Sequence, residues 1–450
     1  LYFIQKKGWL GASNTKYNDG DKNFMSNFYN MAGANESFYA TWLSKLFFET
    51  LNRQRPNDAF EMPDGSTVKV PYLNGGLFEK ESTKYDYLTF PADLFTELFD
   101  FFDQYNFTIY EDSPEEHTVA VDPEMLGHIF ENLLEDNKDK GAFYTPKEIV
   151  HYMTQESLIE YLHTQLPDAE RDELEAFVKN KDNELSDDHK KQIDQKLDAV
   201  KICDPAIGSG AFPVGLLHEL VSARKVLRKH LSKRYLEKLD VGDITELTDY
   251  YDKRHAIQES IYGVDIDASA IDIARLRLWL SMIVDEEDYE TIDALPNLDY
   301  KIVKGDTLVG FLFDSVGRTA ILEKVEALKE KMIAETDHNE KENIRRQVRE
   351  LLDPIYQNSE KGIGYQVNFD YRYEFSEIFT KGRKGFDIVI GNPPYISYYG
   401  NKGQKLSDEK RDFFVAAYDH IKKKNERINS MNLMTEKGLK IIHPKGFLSF

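Results

Sequence analysis

The sequence predicts a Rossmann-like, doubly wound α/β sheet preceded by a mainly helical N-terminal domain. Three observations carry this. From residue 199 onward, short apolar runs alternate with segments of helical period, as in a parallel sheet with crossover helices. Each of the first four runs ends in an acid or a glycine-bearing turn, at the strand end where open parallel sheets bind their ligands. Before residue 136 the apolar and aromatic residues recur at helical spacing instead.

Composition bounds the rest. The 450 residues suffice for two or three domains, and 28 Phe with 26 Tyr supply ample core material. No apolar stretch approaches the roughly 18–20 residues that a membrane-spanning helix needs. A single cysteine, Cys203, excludes an internal disulfide and any cysteine-based zinc cluster, and fits a reducing, cytoplasmic compartment. The formal charge of −22 excludes a simple basic coat protein for nucleic acid, so any such contact needs a local patch. The chain starts without Met, on Leu1–Ile4, and stops at Gly446–Phe450 as if inside a strand, so it reads as a piece of a longer polypeptide.

The elements follow in order. Residues 1–135 form the helical domain, with Phe38, Trp42, Leu43, Leu46 and Phe47 at helical spacing. A turn at Pro63–Ser66, beside Thr67–Val70, predicts a small hairpin within it. Leu126, Ile129, Phe130, Leu133 and Leu134 give residues 123–135 an amphipathic face. Residues 136–450 form the sheet domain, with helical inserts near 166–198, 224–258 and 318–355. The first insert holds 11 acids and 6 bases and reads as solvated helix. The last breaks near Glu335–Asn339 into a helical hairpin. The strands are expected at Ala199–Cys203, Ile261–Val264, Tyr300–Lys304, Phe386–Ile390 and Gly446–Phe450.

Each strand end then carries chemistry. Asp204 to Phe212 places Gly208 and Gly210 where the backbone must turn sharply and come close to a ligand. Pro213 stands where the dinucleotide fingerprint has its third glycine, which argues against NAD. Asp204 would be awkward beside a pyrophosphate and suits a cation such as the ammonium of a methionine moiety. Asp265 occupies the place of an acid that accepts ribose hydroxyls, while Asp267 reads as the cap of the helix that starts near Ser269. Asp306 could bond an adenine amino group or cap a helix. Gly391-Asn392-Pro393-Pro394-Tyr395 is the sharpest signal. Its prolines stiffen the backbone, the Asn392 side chain and the Pro393 carbonyl can both accept from an exocyclic amino group, and Tyr395 offers a ring to stack on a flat substrate.

Together Asp204–Phe212 and Asn392–Tyr395 resemble the S-adenosylmethionine (SAM) and catalytic motifs of adenine-N6 DNA methyltransferases. Gly141–Pro146 resembles the further SAM-binding motif that precedes the glycine loop in the gamma order of these enzymes. Phe375–Phe379 and 438–450 match as well. Gln5–Leu10 and Asn74–Phe78 resemble the helical domain of large type IIG restriction-modification proteins, and related phage-exclusion methyltransferases share much of the pattern. The resemblance implies a SAM site of Tyr144, Thr145, Pro146, Asp204, Ala206, Gly208, Gly210, Asp265 and Asp306. Thr145 would reach the methionine carboxylate and Asp204 its amino group. It implies Asn392, Pro393, Pro394 and Tyr395 as the catalytic turn, and no metal. It also implies a nuclease domain, a target-recognition domain and the last strands of the sheet beyond this stretch.

The expected function is methyl transfer from SAM to the N6 amino group of adenine in double-stranded DNA, in a restriction-modification or phage-defence protein. The target base must leave the duplex to be reached. The alternatives are an RNA or protein-glutamine methyltransferase using the same Asn-Pro-Pro-Tyr motif, and a non-catalytic DNA-binding fragment. Residues 396–430 hold 8 bases and 5 acids, among them Lys402, Lys405, Lys410, Arg411, Lys422, Lys423, Lys424 and Arg427. They are expected to meet the DNA backbone, with 396–412 as a loop that orders on DNA.

Overall fold

The computed structural model describes residues 1–13, 17–73, 78, 88–107, 120–121, 125–127, 129, 145–182, 184–228, 249–285, 295–312, 319–335, 338–360, 365–379, 383–399, 404–423 and 426–450. Most of the expected helix over 123–135 lies outside them. The chain divides into two compact units. One comprises Leu1–Leu126 with Trp279–Asn297 and Met332–Asn343, the other Gly127–Leu278, Leu298–Lys331 and Ile344–Phe450.

The first unit is mainly helical and has an aromatic core. Tyr29, Phe38, Phe95 and Phe99 are buried and pack mostly edge to face, with Phe38 centred 4.9 Å from Tyr29 and 5.2 Å from Phe95. The expected hairpin is present. Ala59–Glu61 pairs antiparallel with Thr67–Lys69 across a turn in which Gly65 takes a φ of +83°.

The second unit is built on a five-stranded parallel sheet. Its strands are β1 (Ile202–Asp204), β2 (Ile261–Asp265), β3 (Ile302–Lys304), β4 (Phe386–Ile390) and β5 (Ile442–Ser449), in the spatial order β3-β2-β1-β4-β5. The chain runs outward from β1 to β3 and then returns to the other side of β1 with β4. The sheet is therefore doubly wound, and its topological switch point lies between β1 and β4. All five residues of β4 are buried, as strands covered on both faces require. Cys203, Tyr262, Val264, Phe386 and Val389 join Phe369, Tyr371 and Phe375 in one apolar cluster.

The elements that place the site are the helices α1 (Lys147–Gln165), α2 (Ala211–Arg228), α3 (Ala268–Asp285), α4 (Asp408–Ala417) and α5 (Ser430–Ile441).

Some boundaries differ from the expectation. β1 starts at Ile202 because a helix from Asp187 runs to Ala199, and a short apolar run cannot separate a helix end from a strand start. β5 starts at Ile442 rather than Gly446. Its register jumps from Phe386↔Ile442 to Ile388↔Phe447, so His443–Gly446 bulge out of the ladder, and Pro444 sits where no ladder N–H is needed. The charge-dense insert forms two helices, Arg171–Asn180 and Asp187–Ala199, but it is not solvated all round: Leu174, Phe177, Ile193 and Leu197 are buried. The helical hairpin spans Thr319–Ala334 and His338–Gln357, broken where expected.

Candidate active site

The site residues stand at the carboxyl ends of β1 to β4, all within the second unit. Asp204 ends β1 with 1% exposure, and its Oδ1 accepts the Ala206 N–H at 3.0 Å. Burial pushes its carboxyl up to about 8, and the nearby Asp265 charge adds to the rise. The loop that follows is tied to β2 by Ile207 N–H donating to the Val264 carbonyl at 2.9 Å. Gly208 and Gly210 take φ of +51° and +85°, a region that favours glycine. A Cβ on Gly210 would stand 3.1 Å from Ala274, so α3 packs directly on the loop.

Asp265 ends β2 with both carboxylate oxygens engaged. Oδ2 accepts the Gly208 N–H and Oδ1 the Asp267 N–H, each at 2.9 Å. Burial raises its pKa. Asp265 thus braces the glycine loop, with lone pairs remaining on the same oxygens. Asp267 Oδ1 accepts the Ser269 N–H at 2.9 Å, the capping role expected of it.

Beyond β3, Asp306 Oδ1 accepts the Leu308 N–H at 3.1 Å, and its Oδ2 receives Lys410 Nζ from α4 at 2.7 Å. Thr307 donates to the Pro205 carbonyl at 2.6 Å, which joins the ends of β3 and β1.

Gly391 follows β4. A Cβ there would lie 2.7 Å from Asp204 Oδ1, so the Gly391–Tyr395 turn and the Asp204 carboxyl are in near contact at the switch point. Asn392 Nδ2 donates to Thr145 Oγ1 at 3.3 Å. Thr145 and Pro146 lead into α1, and Pro146 caps that helix. Tyr144, expected beside them, lies outside the described residues. The Ser430 hydroxyl at the start of α5 donates to the Pro394 carbonyl and accepts the Ile396 N–H, the latter at 2.7 Å. The Ser430 N–H returns to the Ile396 carbonyl at 2.9 Å. Tyr395 projects outward with 59% of its surface exposed.

The structure therefore brings Thr145 to Asn392, Asp204 to Gly391, and Asp265 to Gly208. Two participants, Arg277 and Ser430, have no counterpart in the sequence analysis. Arg277, 5% exposed, donates from Nη1 to the Ser209 carbonyl at 3.0 Å and to Ser209 Oγ at 3.2 Å. Its only signal is an arginine set among Ala270, Ala274 and Ser281 on one face of α3. Ser430 stands at a helix start, and nothing in the sequence links it to Ile396. Lys410, expected at the DNA backbone, pairs with Asp306 in the structure. The stretch 396–412 also differs from a free loop. Ser397 bridges Asn429, and α4 begins at Asp408. Residues 400–403, with Lys402, are outside the described residues, as is Lys424.

A glycine loop and an Asn-Pro-Pro-Tyr turn thus meet at the switch point of a doubly wound sheet. Residues 259–450 match the family model described as the Eco57I restriction-modification methylase. A protein of Methanocaldococcus jannaschii, named as a candidate type II restriction enzyme and methyltransferase, is 25% identical over 494 aligned residues. The alignment takes in 87% of this chain and 40% of that relative. Among solved structures, the type IIL restriction-modification enzyme MmeI, in complex with DNA, superposes with a TM-score of 0.54 at 14% identity. The superposition covers 98% of this chain and 44% of MmeI, so the fold is shared. The chain spans about two-fifths of the length of the relative it matches. Among the described residues no helix is long and apolar enough to cross a membrane.

Proposed function

We propose that this chain is the methyltransferase core of a SAM-dependent enzyme that methylates the N6 amino group of adenine in double-stranded DNA. The observation that carries the reading is the 3.3 Å bond from Asn392 Nδ2 to Thr145 Oγ1. With Nδ2 engaged by Thr145, Oδ1 is the atom that would accept from a target amino group.

The residues present fit SAM. Asp204 is a buried carboxyl with a raised pKa, a site that a ligand ammonium would relieve. The Gly208–Gly210 backbone gives a ligand close approach, and Asp265 and Asp306 lie on the same edge, where a ribose and an adenine would extend. Thr145 stands where a methionine carboxylate could meet its hydroxyl. When bound, SAM supplies an electrophilic methyl group on a sulfonium centre.

The chain's own residues position the substrate. Asn392 Oδ1 and the Pro393 carbonyl accept the two amino hydrogens of an extruded adenine, which localises the nitrogen lone pair. Tyr395 gives the base a stacking surface outside the duplex. Rigid acceptors placed in advance act by orientation and electrostatics, with no covalent enzyme intermediate. The test is to incubate the full-length protein with SAM carrying a labelled methyl group and with duplex DNA, RNA or protein, then to identify the modified residue. Label recovered as N6-methyladenine from DNA supports the reading. Label in RNA or glutamine, or none with SAM bound, overturns it.

A further inference from the structure

Beyond the catalytic turn, the segment after Tyr395 forms a short antiparallel pairing with the residues before α5. Ser397 bridges Asn429, Tyr398 N–H donates to the Ile428 carbonyl at 2.9 Å, and Ser430 N–H donates to the Ile396 carbonyl at 2.9 Å. Extended backbone sends alternate side chains to opposite faces. Tyr398 turns inward and packs beside Phe414, with ring centroids 6.4 Å apart. Tyr395 and Tyr399 are both exposed, at 59% and 41%. Arg427, exposed on the paired segment, holds its guanidinium 5.5 Å from the centre of the Tyr399 ring.

From this we infer that Tyr399 and Arg427 form a second nucleotide-binding position, one that takes an unpaired nucleotide next to the target base. The inference rests on the reading of Tyr395 as the ring that receives the flipped adenine. Tyr399 stacks on the base, and Arg427 reaches the phosphate of the same nucleotide. An exposed ring with a cation over one face keeps its other face for a flat group with an anionic link. The charge setting is favourable, since Lys422 and Lys423 are exposed nearby in sequence within a chain of net charge −22. The two rings together hold a short opened stretch of one strand.

The test uses the full-length protein and two single-stranded probes of equal length and charge, oligo(dA) and its abasic counterpart, followed by fluorescence anisotropy across a salt series. Tyr399→Ala should weaken oligo(dA) binding by roughly five- to a hundred-fold, the usual range for one lost stacking contact. It should leave the abasic probe and the salt slope unchanged, and Tyr399→Phe should bind as the parent does. Arg427→Gln should weaken both probes and lower the magnitude of the salt slope by about 0.7. Parent-like binding of oligo(dA) by Tyr399→Ala, or an equal loss on both probes, would overturn the assignment. A base-dependent loss in a protein that methylates no adenine would leave this site standing and remove the reading of Tyr395 instead.

Discussion

The two halves of the candidate site are built in opposite ways. The glycine-loop half is held from within. Asp204 is buried, Asp265 spends both oxygens on loop and turn N–H groups, and Arg277 reaches the loop from inside α3. The Asn392–Tyr395 half is held from outside. Ser430 fastens it from a later helix, Thr145 touches it from an earlier segment, and Tyr395 faces solvent. A pocket that must fit one small charged ligand gains from buried, internally satisfied polar groups. A surface that must receive a base extruded from a duplex has to stay open, so its order comes from neighbours that are distant in the chain.

If the halves are truly separate in this way, changes to one should spare the other. The largest effect is expected for Asn392→Ala. Methylation by the full-length enzyme should fall by about a hundred- to a thousand-fold, while SAM affinity by calorimetry stays as in the parent. A matching loss of affinity would show that Asn392 serves both halves.

Arg277→Met should do the reverse. It strands the Ser209 carbonyl in a buried setting, a cost of about 1.5–3 kcal/mol for a charged hydrogen bond. SAM affinity and thermal stability should both drop, while binding of duplex DNA without SAM holds.

Asp204 adds a pH signature. Its folded pKa, pushed up to about 8, lies above the usual carboxylate value. The folded apo chain therefore keeps a proton that the unfolded chain loses near pH 4. Stability from this group is present at low pH and is lost as pH rises towards 8. A ligand ammonium beside Asp204 favours the charged form, so SAM binding should release a proton at neutral pH, and affinity should climb between about pH 6 and pH 8. Calorimetry in buffers of different ionisation enthalpy reads that proton. Asp204→Asn should abolish both the release and the climb.

The smallest change is Ser430→Ala. Removing the hydroxyl leaves the Ile396 N–H without its acceptor, at about 1–3 kcal/mol if water cannot replace it. Turnover should fall modestly with SAM affinity unchanged. A change in SAM affinity would show that the fastening of the turn also shapes the loop side.

The two halves were not equally legible in the sequence. The strands and the placing of the candidate residues at their ends followed from local signals: apolar runs, Gly208 and Gly210, and the prolines after Asn392. These are readable because turn chemistry depends on a few consecutive residues. The bracing partners were not readable, since Arg277 and Ser430 act across long separations and look locally like ordinary helix residues. Asp306 shows the limit most clearly. An acid after a strand is visible in sequence, but its pairing with Lys410 depends on where α4 lands. The bulge at His443–Gly446 was hidden for the same reason, because register belongs to two strands rather than one.

The near contact of Gly391 with Asp204 has a consequence for what this chain can become. A methyl group at position 391 would press on the Asp204 carboxyl, and only a smaller or withdrawn side chain at 204 could make room. Any such replacement also removes the buried acid. No second-site change at Asp204 can therefore restore both packing and charge. The two positions, far apart in the chain, should behave in a saturation-mutagenesis library as a single locked site, intolerant singly and not rescued in combination.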